Sequence, residues 1–257
     1  MKKGQKLWTR DELILAMNLY LKLPFGKIHS TNPDVIHLAK LIERTPSSVS
    51  LKLSNLASFD SSLKARGIKG AVNASKLDAQ IWHEFSLNWN NLPYESEKLL
   101  ARLEHRSIEQ LNHISEAALN KEGKTSEQMV KVRVNQSLFR STVLAAYNNT
   151  CCITGLKHPE LLIAGHIKPW SIDEKNRLNP QNGIALNALH DKAFETGLIT
   201  ITPSFRVKVS KELFKDKNSK AIQQNFLIYE NMQIIMPSKF IPNIEFLQYH
   251  NDNRFRK

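Results

Sequence analysis

The sequence predicts an α+β protein in which a helical N-terminal part precedes a part that combines short strands with helices. Apolar residues recur at helical spacing through residues 1–120. Beyond residue 130, short apolar runs alternate with Gly, Pro and Asn, which is typical of short strands and turns. The chain has 257 residues, so one large domain or two ordinary ones are expected.

Composition favours a globular protein with a polyanionic partner. Apolar residues make up 41% and charged residues 23% of the chain, and 36 Lys and Arg against 24 Asp and Glu leave a net charge of +12. Basic side chains near phosphates release condensed counterions, so nucleic acid is the simplest partner. A generally basic protein with no such partner remains an alternative.

Several classes of protein are excluded or disfavoured. The two cysteines, Cys151 and Cys152, are adjacent, which excludes a disulfide framework and a Cys-rich zinc knuckle. No apolar run approaches the roughly 20 residues of a membrane helix. The basic start lacks the apolar region of a signal peptide, so we expect no membrane association and a cytoplasmic location.

The N-terminal part opens with a predicted capping box. Thr9 is the expected N-cap and Glu12 lies three residues later, at the start of a helix that Pro24 stops. A second helix is predicted from Pro33 to Arg44. A third begins at Thr45, which caps it, with Pro46 at the first helical position.

Two helices joined by a very short turn predict a helix-turn-helix. With the Trp8 to Glu12 entry, the arrangement resembles a Myb/SANT-like three-helix module, and an ordinary helical bundle is the alternative. A basic loop follows, which predicts phosphate contacts or a solvated turn. The candidate DNA-binding residues of this part are Arg44, Ser47, Ser48, Lys52, Arg66 and Lys69.

Helical spacing continues from Leu77 to Trp89 and from Tyr94 to about Ala118. Residues 121–127 lack apolar side chains and contain Gly, so we expect a linker at residues 121–129. It would separate a helical DNA-recognition domain, residues 1–120, from a second domain, residues 130–257.

The second domain is predicted to contain a helix, two strands, a further helix and a terminal hairpin. In order these are Leu138–Tyr147, Cys152–Gly155, Leu161–Ala164, a helix from near Asn182, and Leu198–Thr202 paired with Phe205–Val209. The two strands, a loop and the helix form a ββα unit.

Four motifs within this unit carry a resemblance to a known family. They are Cys152 to Gly155, Ala164 to Trp170, Asn182 to Leu186 and His190 to Ile199. In order and spacing they resemble the bacterial restriction-type branch of the HNH endonucleases, which are ββα-metal nucleases. The resemblance implies hydrolysis of phosphodiester bonds with a divalent metal ion, Mg²⁺ or Mn²⁺ above all, with Zn²⁺ or Ni²⁺ as further candidates.

The resemblance also suggests roles for individual residues. His166 is the candidate general base, because a neutral imidazole accepts a proton near neutral pH. Asn182 would orient that base or cap the helix, and His190 would bind metal or phosphate. Asp191 and Glu195, four residues apart on a helix, share a face and are the candidate metal ligands.

One position departs from the family pattern. Many HNH enzymes carry an acidic residue or His before the base as a metal ligand, whereas this chain has Gly165. Water, His190 or a distant residue would then complete the metal shell. Lys168 and Arg177 flank the predicted centre as phosphate clamps, although either could simply keep the loop soluble.

The sequence therefore predicts a metal-dependent endonuclease of duplex DNA, restriction-like, with DNA read by the N-terminal domain and a homodimer possible for two-strand cleavage. Two alternatives stay open. A DNA-binding regulator without activity is favoured by the glycine before the base, and an RNA nuclease would share the same residues.

Overall fold

The computed structural model describes residues 6–68, 74–112, 114 and 126–257. The chain divides into two compact units, Met1–Ser141 and Thr142–Lys257. Helices and two small sheets make up the regular structure of these described ranges, which confirms the α+β prediction. Part of the predicted linker lies outside the described residues, and its residues 126–129 are helical. Across the described ranges, every helix is too short or too polar to span a membrane.

Helices form the N-terminal unit. They are α1 (Arg10–Lys22), α2 (Pro33–Leu41), α3 (Pro46–Ala57), α4 (Ser61–Ala65), α5 (Lys76–Leu87), α6 (Leu92–Leu103) and α7 (Ile108–Leu111), and α8 (Ser126–Ala146) runs across the boundary between the units. The predicted capping box of α1 is present, since the Thr9 amide donates to Glu12 Oε2 at 2.8 Å. Helix α1 lies at the centre and packs against α2, α3, α5 and α6.

Two of the predicted DNA-binding side chains point into this unit. Lys52 is 7% exposed, and its Nζ donates to both carboxylate oxygens of buried Asp78, at 2.8 and 2.9 Å. Arg44 donates to both carboxylate oxygens of Glu12 and lies over the Trp8 ring. Both side chains are held by intramolecular partners, so the expectation that they contact DNA is corrected.

The remaining N-terminal candidates lie nearer the surface. Ser47 is exposed at the start of α3, and Ser48 beside it is half-buried. Arg66 is exposed after α4, whereas Lys69 lies outside the described residues. The short turn between α2 and α3 is present, and Thr45 caps α3 by accepting from the Ser48 amide at 3.2 Å.

The C-terminal unit contains two antiparallel strand pairs and several helices. Its elements are β1 (Leu162–His166), β2 (Gly183–Asn187), α9 (Ala188–Glu195), β3 (Ile199–Ile201), β4 (Val207–Val209), α10 (Lys211–Lys215), α11 (Lys220–Asn225) and α12 (Ile244–Asn253). Strand β1 pairs with β2, and β3 with β4 as the predicted hairpin. Gly165 lies opposite Ile184 in the first pair.

The ββα unit is present, but its strands differ from those predicted. Cys152–Thr154 form a turn, and residues 183–187 supply the second strand. The helix therefore begins at Ala188 with Asn187 as its N-cap, rather than near Asn182. The apolar run of β2 is fully buried, and a short run of this kind has no alternation by which to distinguish a strand from a helix.

Candidate active site

One cavity of the C-terminal unit brings together the predicted base and both predicted acidic ligands. It has a volume of about 430 Å³ and is lined by His166, Asp191, Glu195 and Trp170, among others. His166 ends β1, whereas Asp191 and Glu195 lie one turn apart on α9. The packing of α9 against β1 and β2 places these side chains on one cavity wall.

The His166 ring is oriented by a backbone acceptor. Its Nε2 lies 2.8 Å from the Arg177 carbonyl oxygen, and because a carbonyl only accepts, Nε2 carries the proton. The lone pair of the neutral ring then lies on Nδ1. Burial lowers the pKa of His166 below 6.5, an effect that the bond to Arg177 partly opposes. The ring is therefore neutral at pH 7. It packs edge-on against the Trp170 ring, with the ring centres 5.6 Å apart.

Asn182 is buried and organises the loop that supplies this acceptor. Its Oδ1 accepts from the Lys168 amide at 2.8 Å, and its Nδ2 donates to the carbonyl oxygens of Lys168 and Asn176 at 3.1 Å. Asn176 directly precedes Arg177, so these bonds fix the backbone on both sides of the loop. Asn182 does not cap α9, which corrects that alternative.

Gly165 leaves room for the carboxylate of Asp191. A Cβ placed at residue 165 would lie 2.5 Å from Asp191 Oδ1, which is too close for any real contact. The carboxylate from α9 therefore occupies the space beside β1 that a side chain before the base would fill. Burial raises the pKa of Asp191, and the charge of Glu195 raises it further. Lys192 partly opposes this effect. Two neighbouring carboxylates of this kind favour a bound cation.

Residues 151–202 match the family model of the HNH endonuclease. The matched range contains β1, β2, α9 and β3, together with every cavity residue described above. A search of curated proteins gives no match. The match supports an HNH nuclease domain, which implies a nucleic acid substrate and, as in HNH nucleases generally, a divalent metal ion.

The residues of the matched range fit such an ion only in part. The described ranges contain no group of three or more His, Cys, Asp or Glu side chains arranged to hold a metal. Mg²⁺ is commonly bound by one or two protein carboxylates, with water and substrate phosphate as its other ligands. Asp191, with Glu195 on the same cavity wall, offers that minimal set.

His190 does not join this set, which corrects its predicted metal or phosphate role. Its Nε2 donates to the Asn225 carbonyl at 2.7 Å, and its Nδ1 lies 3.0 Å from Asn187 Oδ1. The ring is 2% exposed and packs against Phe226 and Tyr229. Consecutive helical residues point about 100° apart, so His190 faces away from the cavity that Asp191 lines.

Lys168 and Arg177 are also engaged elsewhere. Lys168 Nζ donates to Asp173 at 3.0 Å. Arg177 donates from Nε to the Trp170 carbonyl at 2.9 Å and from Nη2 to Glu174 at 2.6 Å. Both side chains therefore stabilise the loop after β1, and neither lines the cavity. Their role as phosphate clamps stays a prediction.

Two cavity residues come from a segment to which the sequence analysis assigns no role. His250 of α12 and Arg254 just beyond it line the cavity. His250 stacks on Phe194 of α9 with ring centres 3.7 Å apart, and its Nε2 donates to the Phe194 carbonyl at 3.1 Å. No local pattern signals this contact, because about fifty residues separate the two partners.

Proposed function

We propose that this protein is a metal-dependent endonuclease that hydrolyses phosphodiester bonds of duplex DNA. One observation carries the proposal: the oriented imidazole of His166 and the half-buried carboxylate of Asp191 face the same cavity of an HNH domain. A base and a cation-binding carboxylate on one wall are what hydrolysis of a phosphodiester requires.

In this reaction His166 Nδ1 takes a proton from the attacking water. The water oxygen bonds to phosphorus as the bond from phosphorus to the 3′ oxygen breaks. Asp191, assisted by Glu195, would hold the divalent ion, which when bound neutralises phosphate charge and stabilises the departing oxygen. Asn182 acts as a positioning residue, because its three hydrogen bonds hold the loop that orients His166.

The helical unit would read the DNA. The net charge of +12 and the short turn between α2 and α3 support this role, with Ser47, Ser48 and Arg66 as the surface candidates. A restriction-like action on modified or foreign DNA, by a cytoplasmic homodimer that cuts both strands, follows from the pairing of a reader with a nuclease. Cleavage of phage DNAs that differ only in base modification tests this role, and light scattering tests the dimer.

Cleavage of plasmid DNA tests the nuclease itself. We expect the wild type to cleave in Mg²⁺ or Mn²⁺ and to stop in EDTA. His166→Ala should lower the rate by about 100-fold or more, since a general base contributes 10²–10⁴-fold. His158→Ala is the matched control, because His158 is an exposed histidine of the same unit outside the cavity.

Each outcome of this assay has a definite meaning. Full cleavage by His166→Ala overturns the assignment of the base. DNA binding without cleavage of any substrate identifies a regulator, and faster cleavage of RNA identifies an RNA nuclease. The base must be neutral to act, so kcat/KM should rise with pH and level off, with a midpoint below the usual 6.5 of histidine.

A further inference from the structure

A second cavity lies beside the active-site cavity of the C-terminal unit. It has a volume of about 380 Å³. Its lining consists of Lys192, Glu195, Thr196, Asn253, Arg254 and Arg256. Glu195 and Arg254 line both cavities, so the two spaces adjoin. Three of the six side chains are basic and one is acidic, which gives this cavity a positive balance.

The C-terminal tail is fastened to the helix that carries Asp191. Arg254 Nη2 donates to the Glu195 carbonyl at 2.9 Å, at the end of α9. The Arg256 amide donates to the Gly197 carbonyl at 3.0 Å. A side chain at Gly197 would overlap the backbone oxygen of Arg254, so glycine permits this close approach. The tail therefore holds the Arg254 guanidinium at a fixed place on the cavity rim.

Arg254 differs from the other two cations in its charge partners. Lys192 pairs with Glu195 at 2.8 Å and Arg256 with Glu212 at 3.2 Å, both at exposed sites where such pairs are weak. Within the described part of the chain, Arg254 has no carboxylate within ion-pair distance. Its guanidinium has five N–H donors, and the bond to the Glu195 carbonyl uses one nitrogen.

We propose that this second cavity binds a backbone phosphate of the nucleic acid next to the scissile bond, with Arg254 as its main contact. The inference rests on the proposed nuclease function. A guanidinium anchored by one nitrogen presents its other donors as a fork that matches two phosphate oxygens. Lys192 and Arg256 add positive charge, and the paired carboxylates release them at little cost because the pairs are exposed.

The test compares two arginines in otherwise similar settings. Arg254→Gln removes the proposed contact. Arg206→Gln is the matched control, because Arg206 is an exposed arginine of the same unit whose Nη1 donates to the Asn231 carbonyl, away from both cavities. Binding of the full chain to a 20-base-pair DNA duplex is measured in EDTA over a series of KCl concentrations. The salt dependence of kcat/KM for cleavage in Mg²⁺ is measured alongside.

We expect Arg254→Gln to weaken duplex binding about tenfold and to reduce the slope of log K against log salt by about 1, as for the loss of one phosphate contact. Arg254→Lys should keep most of the slope, since it keeps the charge. Arg206→Gln should change affinity less than about twofold.

If Arg254→Gln lowers kcat but leaves the salt slope unchanged, Arg254 only caps α9 and the proposal is overturned. Equal affinity and equal salt slope of Arg254→Gln and Arg206→Gln would also overturn it. The proposed function is tested separately by wild-type cleavage in Mg²⁺. If the wild type cleaves no nucleic acid but the slope falls, the phosphate site stands and the nuclease fails. If the wild type cleaves and the salt slope of Arg254→Gln equals that of the wild type, the nuclease function stands and the phosphate site fails.

Discussion

Lowering the pH from 8 to 5 is expected to destabilise the C-terminal unit through His250. This ring is 2% exposed and stacks on Phe194. Its Nε2–H donates to the Phe194 carbonyl, so Nδ1 accepts from the Thr200 hydroxyl at 2.8 Å. Burial lowers the pKa of His250 to about 4, the bond to Phe194 opposes this effect, and the charge of Arg254 contributes to it. The folded unit therefore requires the neutral ring.

The magnitude follows from the two pKa values. An unfolded histidine titrates near 6.5, whereas the folded one titrates at about 4. Because the folded value is the lower one, the stabilisation is complete above 6.5 and is lost as the pH falls through 6.5 toward 4. At pH 5 the unfolded chain binds nearly one more proton at this residue, which amounts to about 2 kcal/mol of lost stability.

Urea unfolding at pH 8 and pH 5 measures this loss of stability. Pulsed hydrogen exchange on peptides from residues 188–202 and 244–253 reports the unfolding of the C-terminal unit in particular. His250→Gln keeps a donor and an acceptor but does not titrate, so the difference between wild type and variant isolates this residue. The difference in free energy of unfolding between wild type and His250→Gln should change by about 2 kcal/mol between pH 8 and pH 5. His158→Gln, at an exposed histidine, should parallel the wild type. Parallel curves for wild type and His250→Gln would refute the reasoning.

Three further substitutions have defined outcomes. Gly165→Ala should displace the carboxylate of Asp191, the proposed metal ligand, and lower kcat about 100-fold in the plasmid assay, whereas Gly26→Ala, which meets no atom within 4 Å, should have no effect. Gly197→Ala should lower the free energy of unfolding in urea by about 3 kcal/mol, because the new methyl group strains the backbone and overlaps the Arg254 carbonyl oxygen. Gly67→Ala, with a similar positive φ but open space around it, should lower it by only about 1 kcal/mol. Lys52→Met should leave a buried carboxylate unpaired and cost about 3–5 kcal/mol of stability, a loss that an equally stable variant would contradict.

The helical half of the fold is well predicted because its signals are local. The capping box of Thr9 and Glu12, and the start of α3 at Pro46, depend on residues within one turn of each other. The inward direction of Lys52 is not predictable in this way. Its partner Asp78 lies on α5, and only the packing of α5 against α3 turns a basic side chain into part of the core.

The strands of the ββα unit show the limit of periodicity. Residues 183–187 form a strand because they pair with β1 and are buried on both faces, which leaves no alternating pattern to detect. The turn at Cys152–Thr154, in contrast, contains a short apolar run that resembles a strand but makes one backbone bond to β2, from Cys152 to Ala185.

By itself, the sequence determined which residue types the site contains: a histidine after an apolar strand, and two acids four residues apart, within a range that matches the HNH endonuclease family model. Tertiary structure alone decided which of them share a cavity. The helical rotation between consecutive residues of α9 turns Asp191 toward the cavity of His166 and turns His190 away from it. Arg254, about sixty residues after the end of α9, reaches the cavity rim only through the folding of the chain. Spacing along the chain encodes local helix and strand geometry, whereas contacts between distant segments depend on how whole elements pack.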